Sequence, residues 1–265
     1  MNWLLLRGLG RVKEHWLDLP EALQMALRRN ADSSSQVLCL DLPGFGTESN
    51  AKVPLSIAAH TDYLRERFFS SGPQNNFGLL GVSLGGMIAL DWVARYPDDF
   101  KKLVVINSSA RDVSSLFQRL SPFALYSAGR MAAAKEPEKR EVQSLKLISN
   151  LKDKDPVIIN AMVDIAKKHP MLRDKVWRQT TAAALFSCPS QIAIPTLIVS
   201  SLKDRMVDSR CSKMIAEKLS TNALPQAPIT LKFHPTAGHD LPLDDPEWLI
   251  ERLKEFESTT IEPKP

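Results

Sequence analysis

A serine with glycines two residues to either side, Gly81-Val82-Ser83-Leu84-Gly85, stands between a short apolar run, Phe77-Gly78-Leu79-Leu80, and an apolar helical pattern that starts at Met87. Where a strand turns sharply into a helix, a residue at the bend projects its side chain, and the residues flanking it are crowded by other backbone, which favours glycine. Ser83 is therefore the candidate nucleophile of an acyl-transfer reaction. The helix behind it directs unpaired N–H groups and its positive dipole end to the place where an oxyanion would form. Taken alone, the pattern also fits an ordinary glycine-rich turn. The chemistry makes a further demand: a serine hydroxyl needs a base to take its proton, and the base needs a carboxylate to fix its tautomer.

Five histidines are available. His15 and His60 fall in helical patterns, His169 in a long helical stretch, and His234 at the end of an apolar run, whereas His239 follows the small residues Thr236-Ala237-Gly238 in a loop. His239 is the expected base. For the acid, the loop after the fifth apolar run holds Asp204 and Asp208. Asp208 precedes a helical pattern from Ser209 to Leu219 and has a ready role as a helix cap. Asp204 has no such role and is the better acid, with Asp112 third. The oxyanion donors are expected to be the backbone N–H of Leu84, directly after the nucleophile, and that of Leu9 in the loop after the first strand. Gly8 and Gly10 let that loop approach a ligand, although they are equally explained as turn residues.

These residues need a scaffold that gathers strand ends. Apolar runs at Trp3 to Leu6, Val37 to Leu40, Phe77 to Leu80, Leu103 to Ile106, Thr196 to Val199 and Ile229 to Phe233 read as strands. Helical patterns lie between them, from His15 to about Asn30, from a Ser56 cap to Phe69 and from Met87 to Tyr96, and Asp245-Pro246 opens a closing helix. Alternation of this kind implies a parallel sheet covered on both faces, with ligands at the carboxyl ends of the strands. From Arg111 to Pro189 it stops. That segment is helical in pattern, with cap signals at Ser121-Pro122 and Asp155-Pro156 and a last helix expected from Pro170 to Phe186. The expected organisation is a core made of 1–110 and 190–257, a helical insertion at 111–189, and a frayed tail at 258–265.

The 265 residues suit one α/β domain with an insertion. A net charge of +4 is too small and too dispersed for a nucleic-acid partner. Its distribution is uneven, since residues 111–189 hold fourteen Lys and Arg against eight Asp and Glu. Cys39, Cys188 and Cys211 have no metal-ligand spacing and imply a reducing compartment, which leaves Asn107-Ser108-Ser109 a glycosylation sequon only if that fails. No stretch approaches membrane-spanning length and the N-terminus has no signal-peptide pattern, so a cytoplasmic monomer is expected.

In sequence and order, Arg7-Gly8-Leu9-Gly10, Asp41-Leu42-Pro43-Gly44-Phe45-Gly46, Gly81-Val82-Ser83-Leu84-Gly85-Gly86, Asp204 and Ala237-Gly238-His239 resemble the motifs of the α/β-hydrolases. The resemblance covers nearly the whole chain and is nearest to small carboxylesterases of the pimeloyl-acyl-carrier-protein methyl esterase type. It implies an α/β-hydrolase fold: a mostly parallel six-stranded sheet, expected here to be parallel throughout, flanked by helices, with a helical cap inserted after the fourth strand. It also implies a serine esterase that cleaves a carboxylic ester through an acyl-Ser83 intermediate, with no metal or organic cofactor. The substrate would be a small ester, free or borne by an acidic acyl-carrier protein. A thioesterase, an acyltransferase or a carbon–carbon bond hydrolase of the same fold would use the same residues, and a non-catalytic receptor is the reading from another class. Phe117, Phe123, Tyr126 and Trp177 are candidates to line a substrate pocket, or else to form the core of the cap. Two departures from the family stand out. Arg7 replaces its usual His, and the chain starts at what the family counts as its third strand, so the first hairpin is expected to be missing.

Overall fold

The computed structural model describes residues 1–28, 35–70, 72 and 74–258. Six strands, β1 (Asn2–Leu6), β2 (Val37–Leu40), β3 (Phe77–Val82), β4 (Lys102–Ile106), β5 (Thr196–Ser201) and β6 (Ile229–His234), form one sheet in the order β2-β1-β3-β4-β5-β6. Every neighbouring pair is parallel, as expected. The first four strands are connected through α1 (Leu19–Leu27), α2 (Ile57–Phe69) and α3 (Leu84–Arg95). Between β4 and β5 lie α4 (Leu116–Arg119), α5 (Pro122–Ala133), α6 (Pro137–Ile148), α7 (Pro156–Lys168) and α8 (Arg173–Leu185). Then α9 (Arg210–Thr221) follows β5, and α10 (Leu241–Asp244) and α11 (Pro246–Ser258) follow β6.

Successive strand residues point to opposite faces, so the apolar runs of β1 to β5 feed two cores, while β6 at the edge adds Ile229 and Leu231 to one of them. Leu4, Leu79, Leu103 and Val105 pack with Phe68 of α2, Trp92 of α3 and Ile215 of α9. Trp3, Leu80, Val104 and Val199 pack on the other face with Leu23 of α1 and Leu249 and Leu253 of α11. With both faces covered, all strands run the same way and their carboxyl ends meet along one edge, where β1 and β3 deliver Arg7 and Ser83.

Three local expectations hold by hydrogen bonding. The Ser56 hydroxyl accepts from Ala59 N–H, the Ser121 hydroxyl from Ala124 N–H, and the Asp155 carboxylate from Val157 N–H. Others need correction. The stretch expected as one helix from His15 is broken: a 3₁₀ turn at Lys13–Trp16 ends at Leu17, whose φ is 49°, and α1 starts afresh at Leu19 with Pro20 in its first turn. Its expected end near Asn30 lies outside the described residues, as does the tail beyond Ser258. The spacing of Val113, Leu116, Phe117 and Leu120 yields only the single turn of α4. Between β4 and β5 the chain is helical, with α5 packed on α6 and α6 on α7. Its small cores are aliphatic, Ala124, Leu147 and Ile148 in one and Leu145 and Met162 in another. Phe117, Phe123, Tyr126 and Trp177 are exposed and form no part of them. Among the described residues no helix is long and apolar enough to cross a membrane.

Candidate active site

At the β3–α3 turn Ser83 has φ 55° and ψ −114°, a conformation that costs a non-glycine residue about 1–3 kcal/mol and persists only where the surroundings enforce it. Its N–H donates to Ile106 O at 2.8 Å and its carbonyl accepts from Met87 N–H at 3.1 Å, which pins the bend to β4 and to the helix. Close approach explains the glycines on either side. A Cβ at Gly81 would strike the Gly85 backbone, and one at Gly85 would strike the carbonyls of Leu6 and Arg7. The loop after β1 reaches the same spot, where a Cβ on Gly8 would sit 3.2 Å from the Ser83 Cβ.

Two backbone donors are left there. Gly10 N–H donates to Gln179 Oε1 at 2.8 Å and Arg11 N–H to Gly8 O at 3.2 Å. Among the described residues the Leu9 N–H has no protein acceptor, and neither has the N–H of Leu84 in the first turn of α3, where helix geometry supplies none.

His239 Nδ1 lies 2.6 Å from Asp204 Oδ2, with both side chains buried. The other carboxylate oxygen, Oδ1, accepts from Met206 N–H at 2.7 Å and Val207 N–H at 2.9 Å, so the acid is oriented from behind. A carboxylate only accepts, which puts the proton on Nδ1 and leaves Nε2 bare. Burial by itself pushes the His239 pKa down, but the charge and hydrogen bond of Asp204, together with the charge of Asp240, outweigh it, and the net shift is upward. Among the described residues the Ser83 hydroxyl has no hydrogen-bond partner. Such contacts are often long in unliganded enzymes and tighten with substrate.

The rival residues have other occupations. Asp208 accepts from Arg210 N–H at 2.8 Å and pairs with the Arg210 guanidinium, which holds its carboxyl below the ordinary range. Asp112 accepts from Cys188 N–H at 2.8 Å and pairs with Lys218. His234 Nδ1 accepts from Ala237 N–H at 2.9 Å, while its Nε2 is 3.1 Å from Asp245. His15 and His60 are buried and bonded to local backbone, at Val12 and Ser56, and His169 lies beside Glu14.

Several residues around the site escape the sequence reading. Asn107, noted only as a sequon, is 1% exposed with φ 48°. Its amide donates to His239 O at 2.8 Å and Ser201 Oγ at 3.1 Å and accepts from Ser201 N–H at 2.7 Å, so in the folded chain it braces three segments and offers no acceptor for glycan. The Asp244 carboxylate accepts from Gly238 N–H at 2.6 Å, from Asn150 N–H at 2.9 Å and from the Ser149 hydroxyl, tying the histidine loop to the end of α6. From α8, buried Gln179 holds Gly10, and Met171 packs against the same glycine. By contrast, Phe117, Phe123, Tyr126 and Trp177 are 68%, 46%, 60% and 61% exposed, too open to wall an enclosed pocket. Among the described residues no three or more His, Cys, Asp or Glu are grouped to hold a metal ion.

Comparison with known proteins follows the same lines. A family model for the alpha/beta hydrolase fold matches residues 4–246. Human monoacylglycerol lipase ABHD6 is 23% identical over an alignment of 269 residues that covers 96% of this chain and 74% of that protein. A homoserine O-acetyltransferase of Haloferax volcanii is 32% identical over 89 residues, 28% of this chain and 21% of that one. Of solved structures, the carboxylesterase CesB (YbfK) of Bacillus subtilis superposes with a TM-score of 0.68 at 19% identity, covering 98% of this chain and 84% of that chain. MGS-M2, an alpha/beta hydrolase from a deep-sea metagenome library, gives a TM-score of 0.73 at 18% identity over 99% and 91%. At these identities the solved structures speak for the fold and not for the reaction.

Proposed function

Since the chain belongs to the alpha/beta hydrolase fold family, we propose that it is a serine hydrolase cleaving a carboxylic ester through an acyl-Ser83 intermediate. Ser83 Oγ attacks the ester carbonyl carbon while His239 Nε2 takes its proton. The carbonyl oxygen becomes an oxyanion facing the N–H groups of Leu9 and Leu84. Collapse breaks the bond to the alkoxy group, which leaves as the alcohol with the proton from His239. Water then attacks the acyl carbon, His239 takes a proton from it, and the acid departs as Ser83 regains its hydrogen. Throughout, Asp204 keeps the proton on Nδ1 and stabilises the transient imidazolium. No metal or organic cofactor takes part in this scheme.

The observation that carries the reading is the 2.6 Å contact between His239 Nδ1 and an Asp204 carboxylate already held by two backbone N–H groups. The Arg210 N–H and guanidinium account for Asp208, and the N-cap of α9 is Ser209, but nothing in folding alone calls for a buried His–Asp pair at the strand ends beside a serine of positive φ. The test is a fluorophosphonate probe with peptide mapping by mass spectrometry. The adduct is expected on Ser83, with none on Ser83→Ala; an adduct elsewhere, or full activity of Ser83→Ala on activated esters, refutes the assignment.

In the same reading the helical segment 111–189 is a cap over the site, the protein is a monomer, and the unpaired Cys39, Cys188 and Cys211 suit a reducing, cytoplasmic compartment. The positive excess of the segment favours an ester borne by an acidic acyl-carrier protein over a free one. Of the segment's cations in polar stretches, Lys139 and Lys167 are already paired with Glu136 and Glu138, and Lys135, Arg140, Lys152, Lys154 and Lys168 are among the charges that would steer such a carrier.

A further inference from the structure

The two loops that carry the Leu9 amide and the His239 ring are joined by an ion pair that the proposed reaction does not use. Arg7, directly before Gly8, donates from Nη1 to Asp240 Oδ1 at 3.0 Å and from Nη2 to Asp240 Oδ2. Asp240 directly follows His239. Both side chains are buried, 3% and 4% exposed, and the guanidinium lies 4.6 Å from the Trp16 ring centroid. Each end is fixed independently. The Arg7 carbonyl is in close approach to Gly85 beside the nucleophile, and Asp240 N–H donates to Ile148 O at 2.8 Å.

A buried ion pair is weak evidence for stability, because apolar residues of similar volume often serve as well. What this pair supplies that apolar packing does not is orientation, since a two-pronged guanidinium–carboxylate contact fixes angle as well as distance. Its location also counts: it spans from one residue before the glycine of the oxyanion loop to one residue after the base. We propose that the Arg7–Asp240 pair is a positioning device, holding the Leu9 amide and the His239 ring in register across Ser83 and balancing charge beside the base. The proposal rests on the acyl-Ser83 reading.

Charged groups face His239 from three elements: Asp204 from the loop after β5, Asp240 from its own loop, and Arg7 from the end of β1. Arg11 faces Asp240 in turn and is paired with Glu141 of α6 at 2.5 Å. Asp240 favours the imidazolium and Arg7 opposes it, so the two single variants have opposite signatures. Only neutral His239 accepts the Ser83 proton, so the acid limb of kcat/KM follows its titration. Asp240→Asn removes a favouring charge and leaves Arg7 unopposed, which moves the limb to lower pH. Arg7→Met leaves Asp240 unopposed and moves it to higher pH.

The experiment measures pH profiles of kcat/KM, with kcat and KM, on an activated p-nitrophenyl ester for wild type, Asp240→Asn, Arg7→Met, Arg7→Lys and the double variant Arg7→Met/Asp240→Asn. We expect opposite limb shifts in the two neutralising singles, a fall in kcat on the order of tenfold to a hundredfold with little change in KM, and in Arg7→Lys a wild-type limb with part of the kcat loss. The double variant has no unpaired buried charge, so it carries the test through kcat if the singles do not fold. Wild-type kcat in the double variant, or single variants whose limbs stay put or move together, overturns the proposal. Fluorophosphonate labelling of wild-type Ser83 keeps the two ideas apart. No wild-type label means the nucleophile reading has failed and this proposal with it, whereas a labelled wild type with unaltered variants sinks the positioning role alone.

Discussion

Asp204→Asn removes one charge and keeps the size and shape of the side chain. The replacement amide has two orientations. In one its oxygen keeps the Met206 and Val207 N–H bonds, now 2.7 and 2.9 Å long, and its NH2 faces His239 Nδ1. In the other the NH2 meets those two backbone donors and strands both, at about 1–3 kcal/mol for each buried group left unsatisfied. The first orientation therefore wins. An NH2 group only donates, so Nδ1 must accept and the imidazole proton moves to Nε2, the atom that takes the proton of Ser83 in the proposed reaction. The same substitution in another enzyme of this chemistry lowers kcat about ten thousandfold, which at 1.36 kcal/mol per decade is about 5.4 kcal/mol of transition-state stabilisation. Stability should fall far less, by about 1–2 kcal/mol, because both backbone bonds survive with a neutral acceptor. The assay is kcat/KM on an activated ester beside thermal unfolding of the same preparation. Asp208→Asn is the control, with a change under about twofold expected, since Asn accepts the Arg210 N–H as well as Asp does. Activity of Asp204→Asn within tenfold of wild type would refute the reasoning, as would finding the large loss in Asp208→Asn or Asp112→Asn instead.

Three further outcomes follow from the site. Ser83→Gly should abolish ester hydrolysis yet raise the melting temperature, because glycine adopts φ 55° without the strain, a gain on the order of 1 kcal/mol that Ser83→Ala does not share; equal melting temperatures for the two variants would contradict it. The kcat/KM of the wild type should rise with pH through a titration above the ordinary histidine value, given the upward shift at His239. In stability the sign is reversed: the folded state binds that proton more tightly, so the contribution is whole below the unfolded pKa and is lost as pH rises through the folded one, which the pH dependence of denaturant midpoints for wild type and His239→Gln will read. For the positive charge of the helical segment, proposed as a cap, a carrier-linked ester should be turned over faster than the free methyl ester of the same acyl chain at low salt, with the advantage shrinking as salt is added; no advantage at low salt would refute the carrier reading.

Short-range physics explains what the sequence determines by itself. The six strands are legible because each is a short apolar run, buried on both faces in β1, β3, β4 and β5 and partly buried at the edges β2 and β6, and the strand–helix alternation imposes a parallel sheet whose carboxyl ends share an edge. The Ser83 bend and the caps at Ser56, Ser121 and Asp155 are legible because a turn or a cap is decided within a few residues. Ser83, Asp204 and His239 can be named from local context, but that Asp204 meets His239, 35 residues away, depends on β5 and β6 lying side by side. More distant partnerships leave no local trace. Arg7 and Asp240 are 233 residues apart, and Asn107 and His239 are 132 apart. Nothing around Arg7, Asp240 or Asn107 distinguishes a brace from a solvated charge or a sequon. The aromatic residues of the helical segment fail for the same reason, because hydrophobicity makes burial favourable without saying which helix face finds a partner. There Ala124, Leu145, Leu147 and Met162 fill the contacts, leaving Phe117 and Trp177 outside. Strand order and helix packing bring distant residues together, and only the tertiary structure decides them.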